Sequence, residues 1–121
     1  MDLDDLIGPL PAPLGRWLLR RLVAGGVRYG HEFAIMMVRG AEPTALAAVL
    51  RGADVFSEWD GGDFLALLPD TDRAGATRAA ERVREATGAY VGSAHWGGDI
   101  LDDLLNRALS ALEADAAQAA A

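Results

Sequence analysis

Ala53-Asp-Val-Phe-Ser-Glu-Trp-Asp60-Gly61-Gly62-Asp63-Phe64-Leu-Ala-Leu-Leu-Pro69 is the stretch that decides the fold. Two β-prone runs, residues 53–59 and 64–68, flank Asp60-Gly61-Gly62-Asp63, and paired glycines supply the positive φ angles that a tight hairpin turn demands. Pro69, lacking an N–H, closes the second strand. Upstream, Phe33-Ala-Ile-Met-Met-Val38 is apolar without alternation, as in a strand covered on both faces, and belongs at the sheet centre. Between them Pro43 suits a first helical turn, with Leu46, Val49 and Leu50 as the buried face of a short helix reaching Arg51-Gly52. Leu14, Trp17, Leu18 and Leu22 mark an earlier helix from Pro13 to Gly25-Gly26, with Arg16 and Arg20 off that stripe. Downstream, Asp70 or Asp72 caps a helix over residues 73–87 that ends at Gly88, and residues 89–94 form a fourth strand. Leu101, Leu104, Leu105, Ala108, Leu109 and Leu112 then trace one face of a last helix beginning near Asp99, with an Ala-rich tail from Ala114 expected to fray.

This order predicts an α+β sandwich of the ferredoxin-like type, a central, mostly antiparallel sheet with helices packed on it. The 121 residues, half of them hydrophobic, suffice for one domain with its own core, with residues 1–12 and 114–121 expected as flexible ends. Absence of cysteine removes disulfides, thiol nucleophiles and thiolate metal sites. The apolar runs are far short of the roughly 20 residues that span a bilayer, and Met1-Asp-Leu-Asp-Asp5 is no secretory leader, so the expected location is the cytoplasm, away from membranes.

Net charge is −7 and unevenly placed, with five Arg and four acids in residues 1–40 against six Arg and fourteen acids thereafter, which argues against nucleic acid as a partner. Every basic residue is Arg, so no catalytic lysine exists; with the abundant Ala and Gly, this fits a high-GC bacterial coding bias. Arg16, Arg20, Arg21 and Arg28 read as a solvated helix face or as a surface for an anion or partner. His31 and His95 are too isolated for a triad or zinc site, and Trp96 beside Gly97-Gly98 reads as a packed loop anchor or as an aromatic that awaits a partner.

Arg51-Gly-Ala-Asp54, five residues, then Asp60-Gly61-Gly62-Asp63-Phe64 and a strand ending Leu-Pro69-Asp resembles the GGDEF (diguanylate cyclase) family, with its RxxD motif ahead of the signature hairpin. The resemblance runs through most of the chain. Pro9-Leu10 followed by Arg16 is similar to the family's opening segment, Ser93 falls where its fourth strand carries Ser, and Arg107-Ala108-Leu109 matches its final helix. Against that pattern the signature is altered at its first, third and fourth positions, leaving Asp63 as the acidic residue. Arg39 and Gly40 follow Val38 where a metal-binding Asp is expected, the substrate-reading segment after the first strand is missing, and Glu113 stands at the position of the last helix's lysine. The polymerase palm of type III CRISPR complexes also shows Gly-Gly-Asp-Asp before such a strand, and it too needs an acidic first strand.

The resemblance therefore implies a degenerate, shortened GGDEF-like domain without catalytic residues, metal or cofactor. Two-metal phosphoryl transfer needs clustered carboxylates, and one or two acids opposite an arginine do not supply them. By the same resemblance Arg51 and Asp54 correspond to a product-inhibition site for cyclic di-GMP; on their own terms they are equally a helix-end cation and a strand-entry cap. Asp60, Gly61, Gly62, Asp63 and Phe64 would serve a hairpin whatever the function, or retain a metal or nucleotide role. The expected function is a bacterial signalling receptor or scaffold working with a protein partner or as a homodimer. The alternatives are a pure protein–protein interaction module and a residual nucleotidyl cyclase or palm-type polymerase.

Overall fold

The computed structural model of the chain describes residues 9–120. Its elements are α1 (Ala12–Tyr29), β1 (Phe33–Arg39), α2 (Pro43–Val49), β2 (Val55–Glu58), β3 (Phe64–Pro69), α3 (Arg73–Thr87), β4 (Tyr90–His95) and α4 (Leu101–Ala120), with one 3-10 turn at Asp60–Gly62. The sheet order is β2-β3-β1-β4, and every neighbouring pair is antiparallel. This is the α+β sandwich the sequence predicts, with β1 inside the sheet.

β1 shows why a strand can lack alternation. Ala34, Met36 and Val38 pack against Leu46 of α2 and Ala76, Ala79, Ala80 and Val83 of α3, while Phe33, Ile35 and Met37 pack against Leu19 of α1 and Leu104, Ala108 and Leu112 of α4. Each face of the sheet thus carries a helical layer, and every β1 side chain from Phe33 to Val38 is buried. Asp72 caps α3 as expected, its Oδ1 accepting the Gly75 N–H at 2.7 Å.

Both ends of the domain differ from the sequence expectation. α1 does not stop at Gly25-Gly26 but continues to Tyr29 and ends at Gly30, in the left-handed conformation at φ 73°. Gly26 lies inside the helix because Trp96, stacked on Phe33 with ring centroids 5.5 Å apart, occupies the space its Cβ would need. The buried stripe of α1 is Gly15, Leu19 and Gly26, so Leu14 and Trp17, expected on the core face, are exposed. Residues 1–8 and 121 lie outside the described residues, but Leu10, expected in a flexible end, is bonded to β2: its N–H donates to the Phe56 carbonyl (2.9 Å) and its carbonyl accepts the Glu58 N–H (2.8 Å).

α4 likewise runs through the Ala-rich segment expected to fray. Asp115 fastens it, its Oδ2 accepting the Val91 N–H (2.8 Å) and the Arg84 Nε (3.1 Å), while Arg84 Nη2 donates to the Val91 carbonyl (2.9 Å). Arg107 Nη2 similarly donates to the His95 carbonyl at 2.7 Å. Three side chains, one from α3 and two from α4, thereby occupy backbone groups on the outer edge of β4, as Leu10 does on the outer edge of β2.

Candidate functional site

The connection between β2 and β3 is a five-residue loop in which Gly61 and Gly62 both take positive φ (72° and 83°), and the Trp59 N–H closes onto the Asp63 carbonyl at 2.9 Å. Its two aspartates are each engaged by an arginine from another element. Arg16 of α1 reaches Asp60 with Nη2 at 3.3 and 3.4 Å from the two carboxylate oxygens, its guanidinium 4.3 Å from the Trp59 ring centroid. Arg16 is thus a clamp on the hairpin instead of part of a solvated face. Phe64 packs edge-on to Phe56, ring centroids 5.5 Å apart.

Asp63 faces inward, its side chain 9 % exposed, and the end of β1 delivers Arg39 onto it. The guanidinium grips both carboxylate oxygens, Nε to Oδ1 at 3.0 Å and Nη2 to Oδ2 at 3.1 Å, and Nη2 also donates to Glu113 Oε1 of α4 at 3.0 Å. Hydrogen bonds from Arg39 to Asp63 and then Glu113 raise its proton affinity beyond the ordinary guanidinium value, so its charge is permanent. β1, the hairpin and α4 are therefore joined by one cation and two carboxylates.

A divalent ion does not fit this arrangement. Both Asp63 oxygens are spent on the fork, and a metal placed among these acids would stand against a fixed positive charge. Among the described residues no group of three or more His, Asp or Glu is arranged to hold a metal. The charges are reversed relative to what the resemblance implies, with arginine for the strand acid and glutamate for the helix lysine. The arrangement holds three elements together without offering an open coordination position.

Arg51 and Asp54 are brought together at the other end of the β2–β3 pair. Asp54 Oδ2 accepts the Arg51 backbone N–H at 3.0 Å and lies 3.6 Å from its Nε. Arg51 Nη2 donates to Thr71 Oγ1 (2.8 Å), which in turn donates to the Pro69 carbonyl (2.9 Å). Thr71 carries no signal of its own in the chain, since it belongs to no motif with Arg51 and meets it only through the fold. The pair divides by exposure: the Arg51 side chain is 57 % exposed, the Asp54 side chain 1 %, and among the described residues Asp54 Oδ1 has no hydrogen-bond partner. Arg28, Arg78 and Arg82 make no hydrogen bond or ion pair with this loop among the described residues. Elsewhere, His95 Nε2 pairs with Glu32 at 2.6 Å, and Trp96 is a packed anchor whose Nε1 donates to the Asp99 carbonyl at 2.9 Å.

No helix among the described residues is long and apolar enough to cross a membrane. No protein-family model and no curated protein sequence matches the chain. Solved structures do. The diguanylate cyclase SiaD from Pseudomonas aeruginosa, solved with its activator SiaC, superposes with a TM-score of 0.77 at 23% identity over 89% of this chain. This chain spans 55% of that one, about half its length. The GGDEF domain of PA1120 (YfiN or TpbB) from the same organism gives a TM-score of 0.80 at 16% identity, covering 93% of this chain and 92% of its own. A microbial GGDEF domain, solved to show its mode of interaction with cyclic di-GMP, gives 0.74 at 18% identity, covering 91% and 86%. The four-stranded sheet, its two helical layers and the hairpin that carries Asp63 thus make up the GGDEF-domain fold, and this chain is GGDEF-like in fold.

Proposed function

We propose that the chain is a GGDEF-like signalling domain that has lost nucleotide chemistry and serves as a receptor or scaffold in the bacterial cytoplasm. The observation that carries this reading is the Arg39–Asp63–Glu113 cluster, in which a guanidinium grips the acid that two-metal phosphoryl transfer would need. Incubation with GTP or ATP and Mg²⁺ or Mn²⁺ is expected to yield no product above a protein-free blank. Turnover that disappears in Asp63→Ala refutes the reading and favours the residual cyclase or polymerase.

The ligand we assign to the receptor form is cyclic di-GMP at Arg51, whose exposed guanidinium can bond a phosphate or the Hoogsteen edge of guanine in bidentate fashion. Asp54 holds the loop through the Arg51 N–H, so it positions the arginine and does not itself face the ligand. Isothermal titration with cyclic di-GMP is expected to give heat that Arg51→Ala abolishes. No heat with the wild-type chain refutes the nucleotide site and favours the pure interaction module, a reading that the burial of Asp54 also supports.

A further inference from the structure

Three glycines lie inside α1, and packing accounts for two of them. A Cβ on Gly15 would collide with Ser57 and one on Gly26 with Trp96, whereas one on Gly25 would meet only His31 Nδ1, at an ordinary 3.7 Å. A glycine inside a helix is destabilising relative to alanine, so Gly25 carries a cost that close packing does not require. What Gly25 does border is a cavity of about 370 Å³ between the second half of α1, the start of β1 and the end of β3. The same cavity is bordered by Asp70, the one non-glycine residue at positive φ (49°) among the described residues. Such a residue is likewise held against its local preference, and conformations of this kind cluster at binding sites. Two local costs thus fall on the lining of one cavity.

That lining divides by chemistry. Leu22, Phe33 and Pro69, buried or half-buried, supply apolar surface, and the exposed Arg21, His31, Glu32 and Asp70 surround it with polar and charged groups. Glu32 is engaged by His95 Nε2 at 2.6 Å. Arg21 and Asp70 make no ion pair among the described residues, so one free guanidinium and one free carboxylate meet at the cavity from different elements. A simple anion is drawn to Arg21 but repelled by Asp70 and Glu32, and a simple cation meets the reverse, whereas a zwitterion satisfies both charges at once. The volume lies near the lower end of the roughly 300–1,000 Å³ typical of small-molecule sites, which suits a molecule of amino-acid size and not a cyclic dinucleotide. We propose that this cavity binds a free α-amino acid with an apolar side chain, Arg21 bonding its carboxylate, Asp70 its ammonium group, and Leu22, Phe33 and Pro69 receiving its side chain. The site is separate from the one assigned to Arg51, which does not border the cavity.

Leucine, methionine, phenylalanine and tryptophan, titrated to millimolar concentration into the isotope-labelled chain, are expected to include at least one that gives saturable amide shifts centred on Gly25, His31 and Asp70. The deaminated and decarboxylated forms of the amino acid that binds tightest, each keeping one of the two charges, should bind about tenfold or more weaker. Arg21→Gln and Asp70→Asn, at exposed positions and with asparagine tolerant of positive φ, should weaken binding to the same extent while circular dichroism stays that of the wild type. Arg28→Gln, on the same helix but outside the cavity, should bind as the wild type does. Gly25→Leu should abolish binding by filling the space, and Gly25→Ala should raise Tm. Absence of a saturable shift with all four amino acids overturns the proposal, as does equal binding of the single-charge forms or binding indifferent to Arg21→Gln and Asp70→Asn. A Tm lowered by Gly25→Ala also overturns it, because the glycine then serves packing.

Discussion

Replacing Arg39 by leucine tests the cluster at the hairpin most directly. The substitution keeps the length of the stem but removes the fork, leaving Asp63 with both oxygens unpartnered and its side chain 9 % exposed. Removing one partner of a fully buried ion pair costs about 3–5 kcal/mol. The Arg39 side chain is 37 % exposed, so water reaches the vacated side and the expected loss falls to roughly 2–3 kcal/mol. For a domain of 121 residues that corresponds to a fall in Tm of about 10 °C, readable by differential scanning calorimetry. The double variant Arg39→Leu/Asp63→Leu should recover most of the loss, because no buried charge is then left alone. Arg39→Asp should go further than Arg39→Leu, placing a third carboxylate beside Asp63 and Glu113, and its Tm should rise on addition of Mg²⁺ while that of the wild type does not. A Tm for Arg39→Leu within about 2 °C of wild type would refute the assignment of a structural role to the fork.

Two further outcomes follow from close packing and from titration. A Cβ on Gly92 would run into the α4 backbone at Ala108 and Leu112, so Gly92→Ala should lift the helix and cost about 3 kcal/mol or more in chemical denaturation, whereas Gly97→Ala, whose Cβ would meet only Asp99 Oδ1 at an ordinary contact distance of 3.9 Å, should not. Asp99 is held below its ordinary proton affinity, first by the Gly97 N–H and then by Arg107; Asp115, which burial alone would push up, is held below it by the Val91 N–H and Arg84. A carboxyl whose folded value is depressed stabilises the fold above its unfolded value and loses that contribution as pH falls through the folded one. Stability measured against pH should therefore hold from neutrality to about pH 5 and decline below about pH 4, with a shallower acid limb in Asp115→Asn.

The central layer was legible because its signals are local. An apolar run without alternation can be read as a two-sided strand, Asp-Gly-Gly-Asp as a reversal, and a leucine stripe as a helix face, each from adjacent residues. What was not legible depended on residues distant in sequence. Gly25-Gly26 reads as a stop signal, yet Trp96 makes Gly26 a packing residue inside α1, and no window around position 26 contains that tryptophan. The same holds at the site. Arg39 is visible as a cation in place of an acid, but Glu113, its second partner, is 74 positions away, and the bond from the Val91 N–H to Asp115, 24 positions on, likewise depends on tertiary contact. Leu14 and Trp17 were misplaced for a different reason. Their spacing is helical, but the true contact stripe of α1 uses glycines, which carry no hydrophobic signal yet let the helix approach Ser57 and Trp96 closely.

The two outer strands of the sheet are finished by opposite ends of the chain, β2 by Leu10 and β4 by Asp115 together with Arg84. During synthesis the first cap is present before the strand it covers, but the second emerges more than twenty residues after Val91, once most of α4 has left the ribosome. Until then β4 presents an open N–H at Val91, whose C=O Arg84 already covers, to any neighbouring nascent chain. A product truncated just before Asp115 keeps the whole leucine stripe of α4, and most of the core with it, yet remains in that unsealed state. Such fragments should misassemble strand to strand although their helices and core are intact, which makes the last few residues of α4 a safeguard against aggregation out of proportion to their share of the packing.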